Sequence, residues 1–367
     1  MMTMAFASSS PDGKAEVAQV ISIQYLRGIA AIAVVFAHID EQLANFGEHL
    51  NFGWGIAGVD IFFVISGFVM MITTGRTTAG NFIMRRLIRI VPLYYLFTFI
   101  FFAIVSLAPS LFKTTAVSSE TLLLSLAFVP HYNLGHPDKI WPLIPLGWTI
   151  NYEMFFYAIF SMVLSFSFGR RIAILGCIFS ALLSFRLLIG DGHSSAVYMT
   201  YTSPLLFEFL GGMVVAYYFV SMRPMPPTIA VVFIVAGFAL LASSIVPGER
   251  AIGYGIPAFL VVIGAVSLEK SKRVPIVPVL SLLGDASYSI YLSHIFSLGL
   301  LRVVWSRMGL VDAGYSSSAA FAAIGIAVAI GVGIFCYLIV EKPVLAALRN
   351  AYGNARRSWK SASIRSG

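Results

Sequence analysis

Residues 24–39, "QYLRGIAAIAVVFAHI", put a guanidinium (Arg27) and an imidazole (His38) at the two ends of an apolar run. An imidazole near neutrality can take a proton from a hydroxyl or carry a transient acyl group, and a neighbouring carboxylate supports either role. On a helix, residues eleven apart lie three turns plus about 20° round and roughly 16 Å along the axis. Arg27 and His38 therefore share one face. Two carboxylates sit in other apolar stretches, Asp60 in "GVDIFFVISGF" and Glu153 in "GWTINYEMFFY". Both stretches would enter from the outer side, which brings His38, Asp60 and Glu153 to one depth as a base with two acids beside it. Spacing alone equally fits an Arg27 that snorkels to inner headgroups and a His38 that reaches outer ones.

A second group with chemical potential is Arg85, Arg86 and Arg89 in "NFIMRRLIRIVPLYY". Positions 85 and 89, or 86 and 89, fall on one helical face. Cations gathered at a helix N-terminus oppose its dipole, and an intervening anion relieves them; guanidinium forks match phosphate oxygens. An anchor on lipid phosphates explains the same charges. The other ionisable groups at membrane depth are Arg186, Glu208, His294 and Arg302. In "GDASYSIYLSH", Asp285 is expected to cap the helix that carries His294, and Ser287, Tyr288, Ser289 and Tyr291 fit either a polar cavity or helix packing. "IVEKPVL" reads as a helix stop just before Pro343. No His pair stands at i and i+4, and Cys177 and Cys336 lie singly in apolar runs. Neither a metal nor a disulfide is expected.

The elements that must hold these groups are membrane helices. Of the 367 residues 59% are hydrophobic and 11% charged, and mean hydropathy is +0.88. That composition excludes an ordinary soluble domain and defines an all-α, polytopic membrane helix bundle. Apolar runs place about ten transmembrane helices near 21–40, 54–74, 88–108, 146–168, 172–189, 203–221, 228–246, 252–268, 283–304 and 318–340. The run 122–130 is too short to cross and is expected to be interfacial or re-entrant. With both termini cytoplasmic, the inner segments collect seventeen of the 24 Lys and Arg residues and the outer loops only Lys113, Lys139, Arg250 and Arg307. This bias obeys the positive-inside rule. The net charge of +8 is then a basic inner face beside anionic lipid, with no nucleic-acid partner needed. The expected divisions are a flexible cytoplasmic tail at 1–20, a membrane-embedded domain at 21–345 and a basic cytoplasmic tail at 346–367.

Six stretches in order, "QYLRGIAAIAVVFAHI", "GVDIFFVISGF", "RRLIRIVPLYY", "GWTINYEMFFY", "GDASYSIYLSH" and "VEKP", resemble the acyltransferase-3 family of membrane acyltransferases from about residue 20 to 345. The chain looks most like its bacterial exopolysaccharide O-acetyltransferase branch. The resemblance implies that Arg27 and His38 are required for acyl transfer, that Arg86 and Arg89, beside Arg85, help bind an acyl-coenzyme A donor, and that Glu153 belongs to the active site. Asp60 and Ser66 match a further motif. One departure concerns the fourth span, where Trp148-Thr149-Ile150 precedes a single Glu153 and many relatives carry a double-acid pair. The implied acceptor is a cell-surface carbohydrate or its lipid-linked oligosaccharide precursor, and the implied location is the bacterial cytoplasmic (inner) membrane. An alternative from another class is a proton-coupled transporter or glycan exporter using His38, Glu153 and Glu208 as a relay.

Overall fold

A computed structural model describes residues 20–365 apart from 45, 48, 76, 108–115, 192–194, 244–248 and 312–313, and gives residues 358–365 as backbone only. The tail at 1–20 thus lies, but for Val20, outside the described residues. In chain order the helices are α1 (Ile21–Ala44), α2 (Gly58–Thr73), α3 (Ala79–Leu107), α4 (Ser119–Leu126), α5 (Gly147–Met162), α6 (Phe168–Ile189), α7 (Ala196–Tyr201) and α8 (Leu206–Ser221). Then follow α9 (Pro227–Ala242), α10 (Arg250–Gly253), α11 (Gly255–Lys270), α12 (Pro278–Asp285), α13 (Ser287–Arg307), α14 (Tyr315–Cys336) and α15 (Lys342–Arg365). The described residues contain no strand.

Eight helical stretches are long and apolar enough to cross a bilayer. The expected spans at 146–168 and 228–246 are filled by α5 and α9, each 16 residues, just below the usual spanning length. Helix α4, over the run expected to be too short to cross, is eight residues long, and its start is fixed by a capping box between Ser118 and Thr121. Tyr95 ties its end to α3 by donating to Leu126 O over 2.7 Å. Large apolar side chains such as Leu187, Leu188, Val232 and Phe335 are exposed on α6, α9 and α14. A multi-pass membrane protein presents these to lipid, which needs no polar cover there.

Helix α2 runs through the centre, packed by α1, α5, α8 and α11. Phe63 of α2 stacks on Phe209 of α8 at 4.7 Å between ring centroids, and Phe156 of α5 stacks on the same ring at 4.6 Å. The α2–α8 crossing is closer than side chains allow. A Cβ built on Gly67 would lie 1.9 Å from Phe209 O, and one on Gly212 would lie 1.9 Å from Val64 O. Only glycine fits either position, the small-residue packing usual where no hydrophobic drive joins helices.

Two expectations about chain ends of elements change. Asp285 closes α12 and accepts from Gln24 Nε2 at 2.5 Å, while Ala286 caps α13. "IVEKPVL" does not stop the helix: residues Tyr337–Glu341 form one π-helical stretch joining α14 to α15. Pro343 would meet the carbonyl four residues back in an α-helix, and a widened turn relieves that clash while keeping the rod continuous. The basic segment 346–367 continues as helix to Arg365.

Candidate active site

Each of five helices offers a polar side chain to one cavity of about 140 Å³. Arg27 comes from α1, Ser66 from α2, Arg86 and Arg89 from α3, Glu153 and Tyr157 from α5, and Tyr288 and Tyr291 from α13. Helical phase explains the selection. Thr149, Glu153 and Tyr157 are spaced i, i+4 and i+8 and line one face of α5, while Tyr288 and Tyr291 are spaced i and i+3 on α13.

The cavity holds a carboxylate among cations. Ser66 Oγ donates to Glu153 Oε1 at 2.8 Å, with Tyr157 OH 3.5 Å from the same Oγ. Arg27 Nη1 donates to Gln24 Oε1 at 3.0 Å, and Gln24 is itself held on Asp285, so α12 orients the guanidinium through α1. Arg86 Nη2 donates to Thr73 Oγ1 at 3.0 Å, and its Nε is buried with no hydrogen-bond partner. Arg89 donates to Glu341, which also accepts from Ser289 Oγ at 2.5 Å. The guanidinium of Arg89 lies 5.5 Å from the Tyr288 ring centroid. Arg85, the third cation of the cluster, is exposed and outside the cavity lining. Consecutive helical residues diverge by about 100°, so Arg85 and Arg86 cannot both face inward.

His38, Asp60 and Glu153 do not meet. Asp60 is fully buried and receives both Nε and Nη2 of Arg250, at 3.1 and 2.8 Å. Arg250 also stacks over Trp148 at 5.3 Å. Glu208 is buried, with neither carboxylate oxygen given a donor. His38 lies beyond the cavity lining, with its ring centroid 4.8 Å from that of His294. The layer expected from depth fails on rotation: Asp60 and Ser66, six residues apart on α2, diverge by about 240°, so the residue that meets Glu153 is Ser66. The relay of His38, Glu153 and Glu208 is likewise divided among separate neighbourhoods.

The cavity and the imidazoles are nevertheless neighbours along α13. Tyr291 lines the cavity, its ring 6.0 Å from Phe62 and 6.1 Å from His294. Its hydroxyl lies 2.9 Å from Thr149 Oγ1 and donates to Leu146 O at 3.1 Å. From Tyr288 beside Arg89 to His294 beside His38, the strip covers about 9 Å of axis. Glu341 is the site residue that sequence reasoning missed outright, since "VEKP" there read as a helix stop and a family-like stretch with no role for its carboxylate. His294 had a signal, the i, i+3 spacing from Tyr291 in "YLSH", but nothing to say what it faced.

Fold and site define a polytopic helical membrane protein with a buried, cation-rich cavity and a pair of imidazoles on the far side of Tyr291 in its lining. The chain belongs to the acyltransferase-3 family, matching its acyltransferase domain over residues 20–338, and is an acyltransferase. It is 36% identical over 317 residues to the exopolysaccharide production protein ExoZ of Rhizobium meliloti (strain 1021), covering 85% of this chain and 94% of that protein. A shorter match, 29% identical over 195 residues, joins 49% of this chain to 28% of the peptidoglycan O-acetyltransferase OatA of Listeria monocytogenes serovar 1/2a (strain ATCC BAA-679 / EGD-e). No solved structure matches significantly.

Proposed function

We propose that this acyltransferase moves an acyl group, acetyl by preference, from acyl-coenzyme A to a hydroxyl of a cell-surface carbohydrate or its lipid-linked precursor in the bacterial cytoplasmic membrane. The observation that carries this reading is the cavity that gathers Arg27, Arg86 and Arg89 beside Glu153 and leads by Tyr291 to the imidazoles. Arg86 fits an anionic donor because its buried Nε has no acceptor within the protein. A charge-assisted bond to a phosphate oxygen satisfies it. Arg89 has further N–H groups beside the one given to Glu341.

In this reading both termini are cytoplasmic, ten helices cross, and the donor's phosphates approach from the end where α3 begins. Its thioester arm passes Arg27 and reaches the Phe62–Tyr291 boundary. His38 is then the base. Its Nδ1 is 2.9 Å from Val34 O, an acceptor only, so Nδ1 carries the hydrogen and Nε2 keeps its lone pair. Nε2 takes the hydroxyl proton as oxygen attacks the thioester carbonyl, and the departing thiolate recovers it. Glu153, fixed by Ser66, offsets part of the positive charge of Arg27, Arg86 and Arg89 and leaves the cavity cationic for an anionic donor. The names of the two relatives, one concerned with exopolysaccharide and the other with O-acetyl transfer to peptidoglycan, support a carbohydrate acceptor.

The test is the O-acyl content of surface polysaccharide, read by NMR in cells with the wild-type chain, without it, and with His38→Ala. Acylation is expected only in the first. Equal acylation in all three would remove the reading.

A further inference from the structure

We propose that His294 is a positioning residue for His38: the two imidazoles share, between their Nε2 atoms, the proton released by the attacking hydroxyl. The inference rests on the acyl-transfer reading above, with His38 as base.

Hydrogen bonding fixes the tautomers. His38 Nδ1 lies 2.9 Å from Val34 O and His294 Nδ1 lies 3.1 Å from Ile290 O. Carbonyls only accept, so each Nδ1 bears hydrogen and each neutral ring presents a lone pair at Nε2. The rings meet edge to face, centroids 4.8 Å apart and planes at 71°. His294 is fully buried and its Nε2 has no hydrogen-bond partner. Such an orphaned acceptor is costly, and the structure keeps it beside the group that would gain a proton. Once His38 Nε2 is protonated it becomes the donor that His294 Nε2 lacks.

A carboxylate ordinarily supports a catalytic imidazolium, yet Asp60 is bound to Arg250 and Glu153 to Ser66. The other titratable groups facing the pair are Glu41, whose Oε2 is 3.9 Å from His38 Nε2 at the more exposed end, and Tyr291, whose ring is 6.1 Å from His294. A proton shared between two imidazoles spreads one positive charge over both rings while it is in transit. In the step, the O–H bond of the acceptor breaks and an O–C bond forms at the thioester carbonyl. The C–S bond then breaks, and the shared proton passes to the thiolate sulfur. Ester and thiol result, and nothing is oxidised or reduced.

The experiment uses membrane vesicles that carry the full-length chain with the native cell's own glycan acceptor, radiolabelled acetyl-coenzyme A as the probe, and His294→Gln and His294→Asn as variants. Both amides keep polarity and neither can take up the proton. At equal protein level, the maximal rate is expected to fall about 100-fold, the size usual for general-base assistance, with the donor KM within about threefold of wild type. The dependence of that rate on deuterium fraction should change from bowed to straight, because one transferring site replaces two. Retention of the wild-type rate by either amide, an unaltered deuterium dependence, or loss of rate only in step with protein level would overturn the inference. Absence of labelled product from the wild-type chain would instead sink the acyl-transfer reading itself.

Discussion

Arg86 has a buried Nε without a partner, whereas Arg85, one residue earlier, points away from the cavity, and Arg89 is committed in part to Glu341. A phosphate oxygen of a bound donor would complete Arg86. A hydrogen bond to a charged group contributes about 1.5–3 kcal/mol, so Arg86→Ala should raise the donor KM by roughly 10- to 100-fold. Arg85→Ala should leave it within about twofold. Arg86→Lys should recover little, since a point charge cannot reproduce the planar fork. Initial rates against acetyl-coenzyme A concentration in membrane vesicles decide the matter, and equal effects at 85 and 86 would mean that the cluster acts as a diffuse anchor. Glu341 belongs to the same calculation: it fixes Arg89 and accepts from Ser289, so its carboxylate sets how much of Arg89 faces the cavity.

Ser66 reaches Glu153 because α2 and α8 touch backbone to backbone at Gly67 and Gly212. A methyl at Gly67 would sit 1.9 Å from Phe209 O, and backbone there cannot yield as a flexible side chain would. Gly67→Ala should therefore push α2 and α8 apart, destabilise by about 1–3 kcal/mol or more, and move Ser66 off Glu153. Gly80→Ala is the control, with nothing within 4 Å of its added Cβ. Thermal unfolding in detergent and acyl transfer should both suffer in the first variant and in neither measure in the second. The same element explains what was readable beforehand. Long apolar runs disclosed most helices, and of the four residues in "GDASYSIYLSH" that fitted either a polar cavity or helix packing, Ser287, Tyr288 and Tyr291 line the cavity. Depth along a helix was legible, but rotation about its axis was not, because small-residue contacts with distant segments set it. Asp60 therefore found Arg250, 190 residues away, in place of His38. Glu341 was hidden for another reason: Pro343 read as a breaker, and only a π-helical turn lets the chain run on and aim the carboxylate at Arg89.

At the scale of the whole molecule, the separation between cation-lined cavity and imidazole pair implies a direction. Arg86 and Arg89 lie near the start of α3, and His38 lies toward the end of α1, with Phe62 and Tyr291 between. If both termini are cytoplasmic, a donor confined to the cytoplasm delivers its acyl group toward the opposite face, and the orientation itself becomes the quantity to measure. Lys139, between α4 and α5, and Lys272, just after α11, are exposed in segments that should lie on opposite sides. With Cys177 and Cys336 replaced by alanine, Lys139→Cys should react with a membrane-impermeant maleimide added outside intact spheroplasts. Lys272→Cys should react only after permeabilisation. The two positions carry the argument because nothing about catalysis is needed to read them. Labelling of both from outside would break the ten-span count, and the reverse pattern would invert the bundle. The reversed pattern would place the cation-lined cavity entrance where cytoplasmic acyl-coenzyme A cannot reach it and require a donor from the other compartment.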